Sequence, residues 1–349
     1  MKTEIAVIDP ITQRLPDGAV LSAAEIIKRG GLVVFPTETV YGLGADATNA
    51  EAVKKIFIAK GRPSDNPLII HLSAPSDAID YVFAGELYFK LAERFMPGPL
   101  TVIMQARDNI PMETRGGLPT VAVRCPANAT ARELIRLSGV PIAAPSANIS
   151  GSPSPTALSH VVDDMQGRVD MIIDGGECDF GLESTIIKIE DDDTLTLLRP
   201  GKITPDELKE IAPVHIADAV LDRLAAGAVA LSPGMKYRHY APASPVILLE
   251  GEVDAVIKYV GNDDSSSIAL ISYSEDIDIL SSALCGIDIY ELGARDDEET
   301  QAHNLFSLLR ELDKKSYEKI YAPIPKKTGI GLALYNRMIR AAAHTIIKL

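Results

Sequence analysis

Cysteine is scarce, with three residues (Cys125, Cys178 and Cys285) far apart and no C-x-x-C pair. Neither a disulfide framework nor a zinc site is suggested by that spacing. No apolar run reaches the ~20 residues of a membrane span. The start, Met1-Lys2-Thr3-Glu4-Ile5, lacks the apolar core of a signal peptide, and a cytoplasmic location is expected. Positive charge is in deficit: 34 Lys and Arg stand against 48 Asp and Glu, a net −14. That balance argues against a surface that clamps nucleic acid as a whole, though it leaves room for a local basic cleft. The phosphate-binding pattern G-x-x-x-x-G-K-[ST] is absent, which excludes a P-loop NTPase. What remains is a chain of 349 residues, 46% apolar and 23% charged, the length of two ordinary domains.

Lys60-Gly61-Arg62-Pro63-Ser64-Asp65-Asn66-Pro67, followed by the apolar run Leu68–Ile70 and His71, is the most informative stretch. Two prolines fix their own φ and push Arg62 and Asn66 toward extended geometry. A guanidinium fork, a point charge and an amide on such a backbone suit an acidic small molecule such as a nucleotide. A basic turn leading into a strand is the plainer alternative. Upstream, a helix over 21–29 and a strand over 32–35 run into Pro36–Ala47. There Gly42-x-Gly44-x-x-Ala47 only mimics a dinucleotide fingerprint, and a tight turn needing small residues accounts for it. The adjoining Thr37-Glu38-Thr39, just past a strand end, is well placed to hold a polar ligand.

Helices are expected over 49–59, 79–94 (with a break) and 128–137, and strands over 4–9, 100–105, 120–124 and 141–144. Residues 109–119 read as a loop. Arg124 shares a strand face with Thr120 and Ala122, so it points at a cleft or at solvent. Pro145–Thr156 is a run of small hydroxyl, amide and glycine residues in which Ser154 can cap a helix begun by Pro155. Such a helix end with serine hydroxyls makes a phosphate cradle. Strands follow at 171–173 and 186–189, the latter in a hairpin with 194–198, then the corner Arg199-Pro200-Gly201 and a helix at 205–211 capped by Thr204. Residues 213–244 read as a linker. Its segment Ser232–Pro242 is too rich in Tyr, Arg and His for a passive tether. From Pro245 on, strands at 246–249, 268–271, 287–290 and 319–321 alternate with helices at 253–260, 300–312 and 331–346, the pattern of a doubly wound α/β domain.

Seven stretches in order, Pro36–Ala47, Lys60–His71, Pro97–Val102, Ala144–Pro155, Gly181–Thr185, Leu198–Thr204 and Ser232–Pro242, closely resemble the Sua5/YrdC/YwlC family in its two-domain Sua5 form. The resemblance implies a YrdC-like catalytic domain over 1–212, with a twisted mixed open sheet and flanking helices. It further implies a linker or lid over 213–244 and a smaller Rossmann-like α/β domain over 245–349. It implies a nucleotidyltransferase that makes threonylcarbamoyl-AMP and pyrophosphate from L-threonine, bicarbonate and ATP, with Mg²⁺ carried by the ATP and no metal ligand from the protein. A separate complex would then transfer the threonylcarbamoyl group to adenosine 37 of tRNAs reading ANN codons. Carried over by motif, Thr37, His71, Arg124, Ala144 and Ser184 would hold threonine. Arg62, Asn66, Thr120, Ser146, Ser154, Arg199 and Arg238 would hold ATP. Lys60 and Arg62 would serve the chemistry, and Tyr237 and Tyr240 would close a lid. An RNA-binding module, a carbamoyltransferase of the hydrogenase-maturation type and a nucleotide-sensing regulator are the rivals. The acidic balance opposes the first, and the absence of zinc-finger cysteines and an acylphosphatase domain opposes the second.

Overall fold

A computed structural model describes residues 2–9, 11, 14–222 and 240–349. They group into two compact units, one of residues up to 150 with 154–222, the other of 151–153 with 240–349. Among the described residues no helix is long and apolar enough to cross a membrane.

The strands of the first unit are β1 (Glu4–Ala6), β2 (Val33–Phe35), β3 (Gly42–Asp46), β4 (Ile69–His71), β5 (Leu100–Gln105), β6 (Thr120–Arg124), β7 (Ile142–Ala143), β8 (Met171–Ile173), β9 (Thr185–Ile189), β10 (Leu195–Arg199) and β11 (Val214–Ile216). They form one mixed sheet in the order β1-β8-β2-β3-β7-β4-β6-β5-β9-β10-β11. Its helices are α1 (Ala19–Lys28), α2 (Ala50–Lys60), α3 (Glu86–Phe95), α4 (Met112–Arg115), α5 (Ala129–Ser138), α6 (Leu158–Met165), α7 (Pro205–Lys209) and α8 (Asp218–Leu221). Apolar spacing explains how α1 and α5 lie on the sheet. Ala23, Ala24 and Ile27 of α1, with Leu134 and Ile135 of α5, bury against Val33, Phe35, Met171 and Ile173. Each large side chain buried this way contributes about 1.5–3 kcal/mol. The Asn49 side chain caps α2, accepting from the Glu51 and Ala52 amides. The Thr204–Glu207 capping box starts α7.

Several elements depart from the sequence reading. Gly42 and Gly44 belong to a strand, antiparallel to β2, rather than a turn. The strand needs small residues because a Cβ on Gly44 would meet the Phe35 ring and Ile142 at 2.7 Å. Period-two alternation cannot register a strand whose side chains have been removed to admit a neighbour's ring. The 109–119 loop contains α4. Residues 214–221, expected as linker, form β11, parallel to β10, and α8. Ala219 of α8 packs on Ile69, Ile103, Ala122, Ile186 and Leu198. The first strand is shorter than expected, ending at Ala6.

The second unit comprises β12 (Val246–Glu250), α9 (Val253–Val260), β13 (Ile268–Tyr273), α10 (Ile277–Ala283), β14 (Asp288–Gly293), α11 (Glu298–Lys315), β15 (Lys319–Pro323), α12 (Gly331–Ala341) and β16 (Ile346–Lys348). All five strands are parallel, ordered β14-β13-β15-β12-β16. The expected doubly wound arrangement is present, with α10 and β16 added. The expected last helix stops at Ala341, and Ile346–Lys348 adds an edge strand to β12 instead.

Candidate active site

Strand pairing decides which polar side chains meet. In the parallel pair β4–β6, His71 lies opposite Arg124. On the other flank β5 places Thr101 opposite Arg124. β5 also pairs with β9, and there the Ser184 and Thr101 hydroxyls meet at 2.8 Å. His71, Arg124 and Ser184, distant in sequence, thus gather at one end of the central strands.

The loop after β2 closes over them. Thr37 Oγ1 donates to the Val40 carbonyl (2.6 Å), so Thr39 Oγ1, 2.9 Å away, is the donor between the two threonines. Thr39 in turn accepts from Arg124 Nη2 at 3.0 Å. The same guanidinium nitrogen lies 2.7 Å from Glu38 Oε1. The Phe180 and Gly181 amides donate to the Glu38 and Thr39 carbonyls, which fixes the 180–184 loop against this pair. Burial pushes the Glu38 carboxyl up, but the charge and hydrogen bond of Arg124 more than offset it and hold the group below the usual carboxylate range. Burial, reinforced by the Arg124 cation, pushes His71 down to about 3, so its imidazole is neutral at pH 7. His71 Nδ1 and Arg124 Nε are buried and make no hydrogen bond among the described residues. A fixed guanidinium edge beside a neutral imidazole and hydroxyls suits a carboxylate that carries a nearby hydroxyl.

The Arg199 corner seals the next position. Its Nε donates to the Ser184 carbonyl (2.9 Å) and its Nη2 to the Ser184 hydroxyl (3.1 Å). Gly201 permits the approach, since a Cβ there would meet the Thr185 nitrogen at 2.5 Å. Ala144 ties β7 to β4 through its amide, which donates to the Ile69 carbonyl at 2.9 Å.

A second group surrounds the end of α2. Lys60 is buried, and its ammonium donates to the Ser146 and Asn148 carbonyls (2.5 Å each) and to Asn148 Oδ1 (3.3 Å). The Ser146 hydroxyl donates to that same Oδ1 at 2.5 Å. Lys60 is the last residue of the helix, and the chain turns at Gly61 (φ +61°) into Arg62. Arg62 Nη2 donates to the Pro67 carbonyl at 3.3 Å and closes the loop on itself. Asn66 is 1% exposed, and neither atom of its amide has a partner among the described residues. Thr120 opens β6, half-buried and four residues from Arg124, roughly 13 Å along a strand. The register Ile69↔Ala122 places it beside the Asn66–Pro67 corner.

Two expectations change. Ser154 does not cap a helix, because α6 starts at Leu158 with Ala157 at the cap. The Tyr41 and Cys178 amides donate to the Pro155 and Thr156 carbonyls and draw the chain away from helical pairing, and Ser154 donates instead to Glu183 Oε1 at 2.5 Å. The helix-end phosphate cradle is therefore absent there. The Tyr240 ring is buried in the second unit, stacked on Phe306 at 5.2 Å with the Arg337 guanidinium 5.5 Å from its centroid, rather than presented as a cover for a ligand. Tyr237 and Arg238, with most of the proposed lid, fall outside the described residues.

Sequence reasoning gave no role to Thr101, Asn148, Glu183 or Arg115. Asn148 lay in a highlighted run, but only the fold shows it gripping Lys60. Arg115, 8% exposed with an unbonded Nε, sits on α4, whose Thr114 carbonyl accepts from Leu68 next to the Asn66 corner. Among the described residues no three His, Cys, Asp or Glu side chains gather as a metal cage. Glu38 and Glu183, the carboxylates at the site, are engaged by Arg124 and Ser154.

Fold and site together define an α/β protein with buried cations, hydroxyls and amides at a sheet's strand ends, a binder of small polar, anionic ligands. A family model of the Sua5/YciO/YrdC type, described as telomere recombination, matches residues 25–201. A second, described as threonylcarbamoyl-AMP synthase, C-terminal domain, matches residues 203–343. The threonylcarbamoyl-AMP synthase of Pyrococcus abyssi is 43% identical over 99% of this chain and 100% of its own length. That of Bacillus subtilis is 40% identical, with 100% of both chains covered. The crystal structure of P. abyssi Sua5 complexed with L-threonine is similar with a TM-score of 0.87 at 41% identity, covering 100% of each chain. The chain belongs to the Sua5/YrdC/YwlC family, in its two-domain Sua5 form.

Proposed function

We infer that this chain is a threonylcarbamoyl-AMP synthase, a nucleotidyltransferase that uses L-threonine, bicarbonate and ATP. Family membership over the whole length supports the reading. The observation that carries it within the structure is the buried Arg124, anchored by Glu38 and Thr39 with its Nε edge unbonded beside a neutral His71. Arg124 takes the threonine carboxylate, and His71 with Thr37 and Ser184 takes its hydroxyl and orients its amine. Ala144 borders the same pocket. Arg62, Asn66 and Thr120, at the other end of β4 and β6, hold the nucleotide together with Ser146, Ser154 and Arg199. Lys60, by rigidifying Ser146 and Asn148, keeps positive charge at the bicarbonate and phosphate oxygens. Mg²⁺ is held by the ATP phosphates, since this cation keeps most of its water and needs few protein ligands.

The reaction forms two bonds. The threonine nitrogen bonds to the bicarbonate carbon, with water leaving. A carboxylate oxygen of the resulting carbamate bonds to the α-phosphorus, the α–β bridge breaks, and pyrophosphate leaves with its electron pair. No protein nucleophile is needed. Positioning and charge stabilisation do the work, each of which lowers barriers without a covalent intermediate. The mixed anhydride is labile in water, so an acceptor enzyme acting on tRNA in the same cytoplasm has to consume it. The test follows pyrophosphate release and the product mass with ATP and Mg²⁺, adding threonine and bicarbonate in turn. Release that requires both supports the reading, and release indifferent to threonine overturns it. Valine should be nearly inert because the hydroxyl-binding groups would be left unpaired. Serine, lacking one methyl worth about 1–3 kcal/mol, should be a weak but measurable substrate by kcat/KM.

A further inference from the structure

We propose that the second unit has a binding site of its own, at the carboxyl ends of β12, β13 and β15, for a small zwitterion with a short apolar tail, as a free aliphatic α-amino acid is. In an open parallel sheet a crevice opens between neighbouring strands whose connections leave for opposite flanks. β12 and β15 are such neighbours: β12 continues through α9 to β13 on one flank, and β15 continues through α12 to β16 on the other. α9 packs with α10, and α11 with α12, which puts the two pairs of connecting helices on separate faces. A cavity of about 90 Å³ lies at this position, room for several water molecules or a compact ligand.

Three kinds of surface meet there. Its floor is apolar, from Leu249, Val256 and Leu280. Its wall includes Ser272, 6% exposed, whose hydroxyl makes no hydrogen bond among the described residues. That hydroxyl opens onto the cavity and is available to a ligand. At the rim the Arg295 guanidinium is held 4.5 Å over the Tyr273 ring and 2.5 Å from Asp276. A fixed cation and a fixed anion side by side favour a partner with both signs. A phosphate would meet the Asp276 charge, and a wholly apolar ligand would leave Ser272 unsatisfied. The carboxylate goes to Arg295, the ammonium to Asp276, and the aliphatic tail to the floor.

The experiment titrates the full chain calorimetrically with L-valine, L-leucine and L-isoleucine at millimolar concentration, with L-threonine saturating so that the first unit is occupied. The expected result is saturable binding of at least one of the three, one per chain. Arg295→Ala should weaken it by roughly tenfold or more, and Ser272→Leu, which fills the crevice, should abolish it. Circular dichroism and threonine-dependent pyrophosphate release should be unchanged in Arg295→Ala. If Ser272→Leu does not fold, Arg295→Ala still decides, because its site is an exposed rim. Absence of saturable heat with all three amino acids overturns the proposal, as does binding that survives Arg295→Ala and vanishes in Arg124→Ala.

Discussion

At one end of β4 and β6 the polar groups satisfy each other: Arg124 grips Glu38 and Thr39, Thr101 meets Ser184, and Arg199 holds Ser184 twice. Where the same strands begin, the Asn66 amide is buried with nothing to bond, and Arg115 Nε nearby is in the same position. The first arrangement is largely built before a ligand arrives, with an edge of Arg124, one nitrogen of His71 and Glu38 Oε2 left over among the described residues. The second leaves buried donors and an acceptor open, as a site that a ligand completes would. Preorganisation suits a small amino acid that must be told from close analogues. A site completed on binding suits a larger nucleotide, whose many contacts can supply the missing bonds.

Removing the paired Arg124 and removing the unpaired Asn66 amide should therefore have opposite effects on stability. The largest loss is expected for Arg124→Ala, which strands the Glu38 carboxylate. Breaking a buried pair typically costs about 3–5 kcal/mol, readable from urea unfolding midpoints. The double variant Arg124→Ala/Glu38→Ala should regain most of that stability and still not bind threonine. A double variant that binds threonine normally would remove Arg124 from the site. Next comes Lys60→Ala, which leaves the Ser146 and Asn148 carbonyls without their donor, each such buried group costing about 1–3 kcal/mol. Pyrophosphate release should fall with it, and an unchanged melting temperature would contradict the clamp.

A pH-dependent effect, modest near neutrality and growing toward acid, is expected from His71. Its folded pKa is depressed to about 3, whereas the unfolded chain titrates near 6.5. Between those values the unfolded state binds more protons, so stability should fall as pH drops from about 6.5 toward 3 and be unaffected above. His71→Gln should flatten that slope, and a slope that is the same in both proteins would place the acid sensitivity elsewhere. The smallest effect on stability belongs to Asn66→Leu. Replacing an unsatisfied buried amide by an apolar group of similar size should leave the melting temperature unchanged or slightly raised, while KM for ATP rises roughly tenfold or more. A clear loss of stability would mean that the amide already has a partner in the free protein.

Much of this was legible in the chain itself. Leu100–Gln105, Thr120–Arg124 and Met171–Ile173 are strands with the expected limits, because β-branched runs between prolines and glycines mark buried strands well. The corner Lys60–His71 was visible as a rigid cationic turn for the same local reason. What stayed hidden depends on distant partners. Gly42–Asp46 is a strand only because Phe35 needs the space of its glycines. Ser154 has the look of a cap until the Tyr41 and Cys178 amides are seen to hold Pro155 and Thr156 extended. Arg124 could have faced solvent. Its burial follows from Glu38, Thr39 and the sheet register, none of which is local to it. The short elements α4, α8 and β16 carry too few residues for a period to show.

The division of labour between the two strand ends is tested most directly by calorimetric titration of threonine and ATP, each alone, into Arg124→Lys and Asn66→Leu. Lysine keeps the charge that faces Glu38 and loses the planar fork. Arg124→Lys should bind threonine far more weakly and ATP almost normally. Asn66→Leu should do the reverse. Equal weakening of both ligands in both variants would contradict the account.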